Sequence, residues 1–291
     1  MLHLGLDAGR PAARNGKLVS ARARLVTTSI GAIDVYETGN VDGEAIVLVT
    51  HGLGSLESFE EIADGLATRF PHRRIVAYSR PGRGRSPALN HAVPGEDLAS
   101  EASLVLPALM RALGIRSADF VGHSDGAAIA ALAACLNPGL AGRLVAIAPQ
   151  VFADAQFARA TDALPEEHRR IGLSERLGAL HLDDAGAFRL WRAARQGLCA
   201  KPNAVLDRLE GLTAPILLVQ GLRDEFGSSN QVSMIATRAS GPVKWVLLQR
   251  DGHFVHLDNP GQMLDLIESH LATPPARQDD HWSTSPCVAR A

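Results

Sequence analysis

This 291-residue sequence contains little cysteine, and its three cysteines follow no recognisable pattern. Cys135, Cys199 and Cys287 lie far apart and are odd in number, which excludes a disulfide framework and a zinc-ligand spacing. A reducing, cytoplasmic location is therefore expected. The sequence also lacks any apolar run near the roughly 20 residues of a membrane span, and its first residues lack the apolar core of a signal peptide. We expect no membrane partner.

An excess of charge of one sign is absent as well. The formal net charge is −2, so nothing in the overall charge attracts nucleic acid. There is no internal repeat, and the one tract of biased composition is the Pro-, Ser-, Asp- and Arg-rich end of the chain. A chain of this length suits one large α/β domain or two small ones, and we expect a monomer or a homodimer.

Short apolar runs alternate with helical patterns along most of the chain. The runs EAIVLVTHG, RRIVAYS, ADFVGHS and PILLVQG are nearly uninterrupted, which is typical of strands buried on both faces of a parallel sheet. Together with two strands that flank a turn at residues 29–31, they predict an α/β fold. Its sheet should be mostly parallel and doubly wound, with about eight strands.

Local signals predict where several helices begin and end. Ser58 and Glu61 fit a capping box, and Pro260 fits the first position of the last helix. Gly114 fits the end of a helix. Pro107 lies inside that helix and is expected to kink or shorten it.

Residues 150–205 interrupt the alternation, because they contain helical patterns and no convincing strand. Parallel sheets bind ligands beyond the carboxyl ends of their strands, so we expect this insertion to form a helical lid over that edge. The predicted organisation is a flexible arm over residues 1–24, one domain over residues 25–272, and a disordered tail over residues 273–291.

The stretch VGHSDGAA carries the strongest chemical signal. Gly122, Ser124 and Gly126 fit the pattern G-x-S-x-G between an apolar strand and a helix, which predicts a strained turn that presents the Ser124 hydroxyl above the sheet. The start of the following helix favours developing negative charge. The alternative is a serine that only caps this helix.

A nucleophilic serine needs a base, and the base needs an orienting acid. Asp224 follows one predicted strand and His253 follows the next, in the order that enzymes with this turn use. Glu225 and Asp154 are the alternatives to Asp224, and His256 is the alternative to His253. No metal is expected, because the two histidines lack other ligands nearby.

Acyl transfer also needs two backbone N–H groups to stabilise the oxyanion. We predict them at Asp125, directly after the nucleophile, and at Leu53, in the loop HGLGS. In the insertion, four aromatic residues are candidates for the wall of a substrate pocket, with helix–helix packing as the alternative. They are Phe152, Phe157, Phe188 and Trp191.

The sequence resembles the α/β-hydrolase-fold superfamily across roughly residues 25–272. The motifs HGLGS, RPGRGRS, GHSDG, GLRDEFG and DGHFVHLDNP carry the resemblance, which is greatest to small bacterial lidded hydrolases with a G-H-S-D-G turn. It implies hydrolysis of esters, thioesters, lactones, amides or, in some branches, C–C bonds, with no metal or organic cofactor. Ser79 stands where many relatives have aspartate, and Ala127 where many have glycine; the first departure is expected to alter hydrogen bonding in its loop.

The sequence therefore predicts a serine hydrolase of a small carboxylic ester or related acyl substrate. C–C bond hydrolysis of ring-cleavage products and non-catalytic ligand binding on the same fold are the alternatives. Arg80, Arg83 and Arg85 are expected near the edge of the site, either to bind a substrate carboxylate, to form a solvated face or to pair with local acids. His123 is expected to pack its ring against the sheet.

Overall fold

The computed structural model describes residues 23–89, 98–170 and 173–272 and shows one sheet of eight strands. In chain order, the strands are β1 (Ala23–Thr28), β2 (Gly31–Gly39), β3 (Ala45–Val49), β4 (Arg74–Ser79), β5 (Ala118–His123), β6 (Ala141–Ile147), β7 (Ile216–Gly221) and β8 (Val243–Leu248). Their order across the sheet is β1-β2-β4-β3-β5-β6-β7-β8. Strand β2 pairs antiparallel with β1 and β4, and the other neighbours pair in parallel. The predicted, mostly parallel sheet is confirmed.

The described residues contain ten α-helices. In chain order, they are α1 (Glu60–Arg69), α2 (Leu98–Ser100), α3 (Leu106–Ala112), α4 (Asp125–Leu136), α5 (Ala155–Arg170), α6 (Leu173–Leu180), α7 (Asp184–Ala200), α8 (Asn230–Arg238), α9 (Val255–Asp258) and α10 (Pro260–Ala272). Two 3₁₀ helices, Leu56–Phe59 and Leu206–Gly211, and a π-helical turn, Glu101–Val105, complete the regular structure.

The sheet has a hydrophobic core on each face, because alternate side chains of a strand point to opposite sides. Val47 of β3 belongs to the core that contains α3, α4 and α8, whereas Ile46 and Leu48 belong to the core that contains α1 and α10. Strands β5 and β7 are buried along their whole length, which explains their nearly uninterrupted apolar sequences. These two cores hold the carboxyl ends of the central strands in a fixed frame.

Proline and glycine mark helix boundaries as predicted. The segment around Pro107 is not one regular helix: the π-helical turn ends at Val105, and Pro107 is the second residue of α3. Gly114 follows α3 with a φ of +70°, a conformation that ends many helices. Helix α10 begins at Pro260.

The capping box predicted at Ser58 and Glu61 is wrong. Ser58 lies inside the first 3₁₀ helix, where its N–H donates to the carbonyl oxygen of Ser55 at 3.0 Å. Helix α1 begins only at Glu60 and has no side-chain cap. The buried side chain of Phe59 explains the difference, because its packing into the core fixes where the 3₁₀ helix gives way to α1.

Helices α5, α6 and α7 lie between β6 and β7 in the chain, so residues 150–205 are an insertion whose described part is helical, without strands. Strand β1 begins at Ala23, and the last two residues of the predicted arm therefore belong to the sheet. The rest of that arm and the predicted tail over residues 273–291 lie outside the described residues. Within the described ranges, no helix combines the length and the apolar character needed to cross a bilayer.

Candidate active site

Ser124 lies in the turn between β5 and α4 with a backbone that non-glycine residues rarely adopt. Its φ is +57° and its ψ is −119°, and such strain costs about 1–3 kcal/mol. Glycines make the turn possible, because a Cβ on Gly122 would lie 2.5 Å from the carbonyl oxygen of Gly126, and one on Gly126 would lie 2.0 Å from that of Val49. The Ser124 side chain makes no capping hydrogen bond, so capping does not explain this residue.

The strain can be measured by comparing two variants that both lack the hydroxyl. We expect Ser124→Gly to be more stable than Ser124→Ala by about 1 kcal/mol, because glycine adopts a positive φ at little cost and alanine does not. Urea unfolding of the two proteins measures this difference. Equal unfolding free energies would show that the turn stores no strain.

Asp224 and His253 meet at the carboxyl edge of the sheet. Asp224 lies shortly after β7 and His253 shortly after β8. The two buried side chains are joined by a hydrogen bond of 2.7 Å between His253 Nδ1 and Asp224 Oδ2. This bond places the proton of a neutral His253 on Nδ1, so that Nε2 is the nitrogen able to accept another proton.

The carboxylate of Asp224 is held from three further directions. Its Oδ1 accepts the backbone N–H groups of Phe226 at 2.7 Å and Gly227 at 3.0 Å, and its Oδ2 also accepts Gln220 Nε2–H at 2.7 Å. Burial opposes ionisation, but His253 and the two backbone donors outweigh it and lower the pKa of Asp224. The acid is therefore ionised and fixed in orientation.

The alternatives to Asp224 and His253 have other contacts. Asp154 accepts the N–H of Phe157 at 2.8 Å and the hydroxyl of Ser228 at 2.6 Å, which gives it a local structural role. The residue bonded to His253 Nδ1 is Asp224 and not its neighbour Glu225.

Two further histidines pack beneath His253. His123 Nε2–H donates to the backbone carbonyl oxygen of His253 at 2.9 Å, so His123 holds the loop as well as packing against it. The ring of His256 lies between His123 and Phe59, with centroid distances of 4.4 and 4.8 Å. Burial and then the charge of His253 lower the pKa of His256 to about 3, so His256 stays neutral. No three His, Cys, Asp or Glu side chains are grouped for a metal ion in the described part of the chain.

Of the two residues predicted to supply oxyanion donors, Asp125 directly follows Ser124 and Leu53 lines the same cavity as Ser124. Asp125 is the first residue of α4; the N–H groups of Ala127 and Ala128 donate to the carbonyl oxygen of Ser124, whereas an N–H at the first position has no acceptor within the helix. Leu53 lies in the loop after β3, and its carbonyl oxygen accepts His181 Nε2–H at 3.2 Å. Leu53 and Asp125 are both buried.

The arginines predicted at the edge of the site all have partners inside the protein. Arg80 is fully buried and makes two hydrogen bonds to Glu101, at 2.7 and 2.5 Å. Arg83 donates to two backbone carbonyls, and Arg85 pairs with buried Asp34 at 2.7 Å. Neither a solvated face nor a carboxylate receptor describes this cluster, since Arg80 and Arg85 pair with local acids and Arg83 bonds to backbone.

Ser79, which departs from the family pattern, is the last residue of β4 and leads into the arginine-rich loop. Its hydroxyl accepts the N–H of Leu56 at 3.0 Å. Asp34, which faces Ser79 across the β2–β4 pairing, supplies the buried carboxylate that holds Arg85. The carboxylate near this loop thus comes from β2.

Ser124 and His253 line the same small cavity. Its wall combines the serine turn, the loops after the strands and the inserted helices. The lining residues are His51, Gly52, Leu53, Ser124, Trp191, Arg195, Phe226, His253 and Phe254.

Of the four aromatic residues predicted in a pocket wall, Trp191 alone lines this cavity. Phe188 packs against Trp191 at a centroid distance of 5.9 Å. Phe157 lies under the guanidinium of Arg195, and Phe152 packs against the hydrophobic core. The helix–helix packing alternative fits Phe157, which contacts α7 from α5, whereas Phe188 contacts a residue of its own helix and Phe152 precedes α5.

The arrangement of strands, turn and insertion matches a known family. A model of the alpha/beta hydrolase family matches residues 46–266. The chain belongs to this family. The matched region begins in β3 and ends in α10, so it contains the serine turn, the insertion and the loops that carry Asp224 and His253.

Solved structures of other alpha/beta hydrolases share the fold. The esterase EaEST from Exiguobacterium antarcticum has a TM-score of 0.69 and 18% identity, covering 86% of this chain and 99% of its own. Carboxylesterase CesB from Bacillus subtilis has a TM-score of 0.65 and 17% identity, covering 88% and 93%. The 2-hydroxy-6-oxo-6-phenylhexa-2,4-dienoate hydrolase BphD from Rhodococcus sp. strain RHA1 has a TM-score of 0.70 and 15% identity, covering 86% and 100%.

Five residues on the cavity wall of this hydrolase were not predicted as pocket residues. Phe226 and Phe254 could have been found, because they lie within two positions of Asp224 and His253 in the sequence. Arg195 gave no signal, since the insertion contains many arginines. His51 and Gly52 belong to the HGLGS motif, of which only Leu53 was predicted as a site residue.

His181 joins the insertion to two loops of the site. Its Nδ1 accepts the N–H of Gly84 at 2.8 Å, and its Nε2–H donates to the carbonyl oxygen of Leu53. Burial, and then the nearby charge of Arg83, lower the pKa of His181 to about 4. The neutral imidazole is the form that makes both contacts.

Acidification should therefore destabilise the hydrolase. His181 has an ordinary pKa of 6.5, near which it is protonated in the unfolded chain, whereas the folded protein resists protonation down to about 4. A lowered pKa contributes stability above 6.5 that is lost as the pH falls through this window. His181→Asn keeps an acceptor but cannot titrate. Between pH 7 and 5, the free energy of unfolding should therefore fall by roughly 1–2 kcal/mol less in this variant than in the parent. Guanidinium titrations at both pH values measure this, and identical losses would contradict it.

Proposed function

We propose that this alpha/beta hydrolase is a serine hydrolase that cleaves small carboxylic esters or related acyl compounds through an acyl-enzyme. One observation carries the proposal: Ser124, in a strained turn, shares a buried cavity with His253, and His253 is oriented by an ionised Asp224. Nucleophile, base and orienting acid are the three parts that this chemistry requires.

The geometry suggests the following steps. Ser124 Oγ attacks the carbonyl carbon while its proton passes to His253 Nε2, and Asp224 stabilises the imidazolium that forms. The N–H groups of Leu53 and Asp125 receive the oxyanion, aided by the N-terminus of α4. His253 then gives the proton to the leaving group, and water attacks the acyl-enzyme by the same route.

The insertion would act as a lid that limits substrate size. Trp191 and Arg195 of α7 line the cavity together with Ser124 and with residues of the loops after β7 and β8. Large side chains, among them Trp191, Phe226 and Phe254, line this cavity and leave little room beside Ser124. We therefore expect short acyl groups to be preferred.

The test combines turnover with covalent labelling. Purified protein is assayed on p-nitrophenyl esters from acetate to octanoate and treated with a fluorophosphonate, and the modified residue is found by mass spectrometry. We expect turnover that declines with acyl length and modification at Ser124. Absence of both turnover and labelling would refute the serine mechanism.

The same measurements separate the two alternatives. EaEST and BphD share this fold equally well, so the fold does not distinguish ester from C–C hydrolysis. Labelling of Ser124 without turnover of any ester would favour C–C hydrolysis. Tight binding of a small ligand, with neither labelling nor turnover, would favour a binding protein.

A further inference from the structure

Arg195 is a buried cation on the wall of the candidate active site. It lies on α7, is 2% exposed and lines the cavity together with Ser124 and His253. Among the described residues, no carboxylate oxygen lies within 4 Å of its guanidinium nitrogens. A buried charge without an acidic partner is costly, and Arg80 shows the usual solution, with Glu101 beside it.

The hydrogen bonds of Arg195 leave part of its guanidinium unused. Nε donates to Thr161 Oγ at 2.9 Å, Nη1 to Gln150 Oε1 at 3.0 Å and Nη2 to the carbonyl oxygen of Phe157 at 3.2 Å. A guanidinium has five N–H donors, so one remains on each terminal nitrogen. Two such donors form the fork that binds the two oxygens of a carboxylate.

The surroundings of Arg195 hold the guanidinium rigidly and keep it charged. Its Cζ lies 3.9 Å from the ring centroid of Phe157, 5.5 Å from that of Trp191 and 5.7 Å from that of Phe226. Burial lowers its pKa to about 10, so the side chain remains protonated near neutral pH. Asp125, which raises this pKa, lies in hydrogen-bonding range of none of the guanidinium nitrogens.

We propose that Arg195 binds a carboxylate of the substrate, so that the preferred substrates are acyl compounds that carry a second, anionic group. This inference rests on the proposed serine hydrolase function. The competing explanation is structural, because the three neutral partners also tie α7 to α5 and to the segment after β6. The two explanations differ in one measurable property, the preference for a charged over a neutral substrate of the same shape.

The kinetic test uses two esters that differ only in charge, mono-p-nitrophenyl adipate and p-nitrophenyl adipamate. We expect the parent to favour the adipate ester in kcat/KM by about 10- to 100-fold, the effect of a charge-assisted hydrogen-bonded pair. Arg195→Gln should abolish this preference, so that kcat/KM falls much further for the adipate ester than for the neutral ester. Arg195→Lys should keep part of the preference, because it keeps the charge and loses the fork. Arg192→Gln, an exposed arginine on the same helix, is the matched control.

A binding measurement keeps the inference testable without turnover. Calorimetric titration of Ser124→Ala with adipate and with adipamide should show adipate bound at least about tenfold more tightly, and Arg195→Gln should remove that difference. Ester turnover without any charge preference would overturn the role of Arg195 and leave the hydrolase function intact. Tighter binding of adipate without turnover of either ester would support the role of Arg195 and contradict the proposed ester hydrolysis. An equal loss of kcat/KM for both esters in Arg195→Gln, together with a lower melting temperature, would show that Arg195 has a structural role.

Discussion

Ser124→Ala is expected to lower kcat for a short p-nitrophenyl ester by about 10³-fold or more, with little change in KM. The nucleophile is removed, whereas the cavity wall, the oxyanion donors and the Asp224–His253 pair remain. Alanine keeps the strained backbone of the turn, so the loss reports chemistry and not rearrangement of the site. Steady-state kinetics of both proteins, purified in parallel, measure the effect.

A matched control is available at another helix start. Ser229 directly precedes α8, is exposed and, like Ser124, makes no side-chain capping bond. Ser229→Ala should retain the parent's kcat. Equal activity of Ser124→Ala and the parent would assign the turnover to a different residue and would remove the basis of the proposed mechanism.

The sheet could be predicted because each strand can be recognised from its own stretch of sequence. Strands β5 and β7 are buried on both faces, so each was visible as an apolar run without knowledge of its neighbours. Site residues placed by the same signals were brought together: Asp224 and His253 each follow a strand and meet at 2.7 Å. In a parallel sheet the carboxyl ends of the strands lie along one edge, so residues that follow different strands lie close together in space.

Features that depend on distant partners could not be predicted. The buried position of Arg80 depends on Glu101, twenty-one residues later, and on how the intervening segment packs. Arg195 has partners as distant as Gln150, and nothing in its local sequence distinguishes it from the exposed Arg192. The failed capping box at Ser58 has the same origin, since the packing of a neighbouring residue overrode a local preference.

Asp224→Asn is expected to lower kcat by about 10⁴-fold while leaving the fold intact. The loss is expected because the two carboxylate oxygens of Asp224 have different hydrogen-bond partners. Oδ1 accepts two backbone N–H groups, from Phe226 and Gly227, so it must remain an oxygen in the variant. The new NH₂ group then occupies the position of Oδ2 and faces His253 Nδ1, which changes from donor to acceptor. Gln220, which donates to Oδ2, has to turn its amide so that its unpartnered Oε1 faces the new group. The proton of neutral His253 moves to Nε2, and the nitrogen that should accept the Ser124 proton is no longer free.

Glu225→Gln provides the matched control for this prediction. It makes the same carboxylate-to-amide change one residue later and should leave kcat near the parent value, since His253 is bonded to Asp224. Nitrogen-15 NMR of the imidazole rings adds a direct readout, because Asp224→Asn should move the His253 proton from Nδ1 to Nε2 and Glu225→Gln should not. A loss of less than tenfold in Asp224→Asn, with the Nδ1 proton retained, would show that Asp224 does not set the His253 tautomer. Loss of kcat together with the tautomer change would tie the activity to the proton position at one nitrogen, a link that a general loss of stability cannot produce.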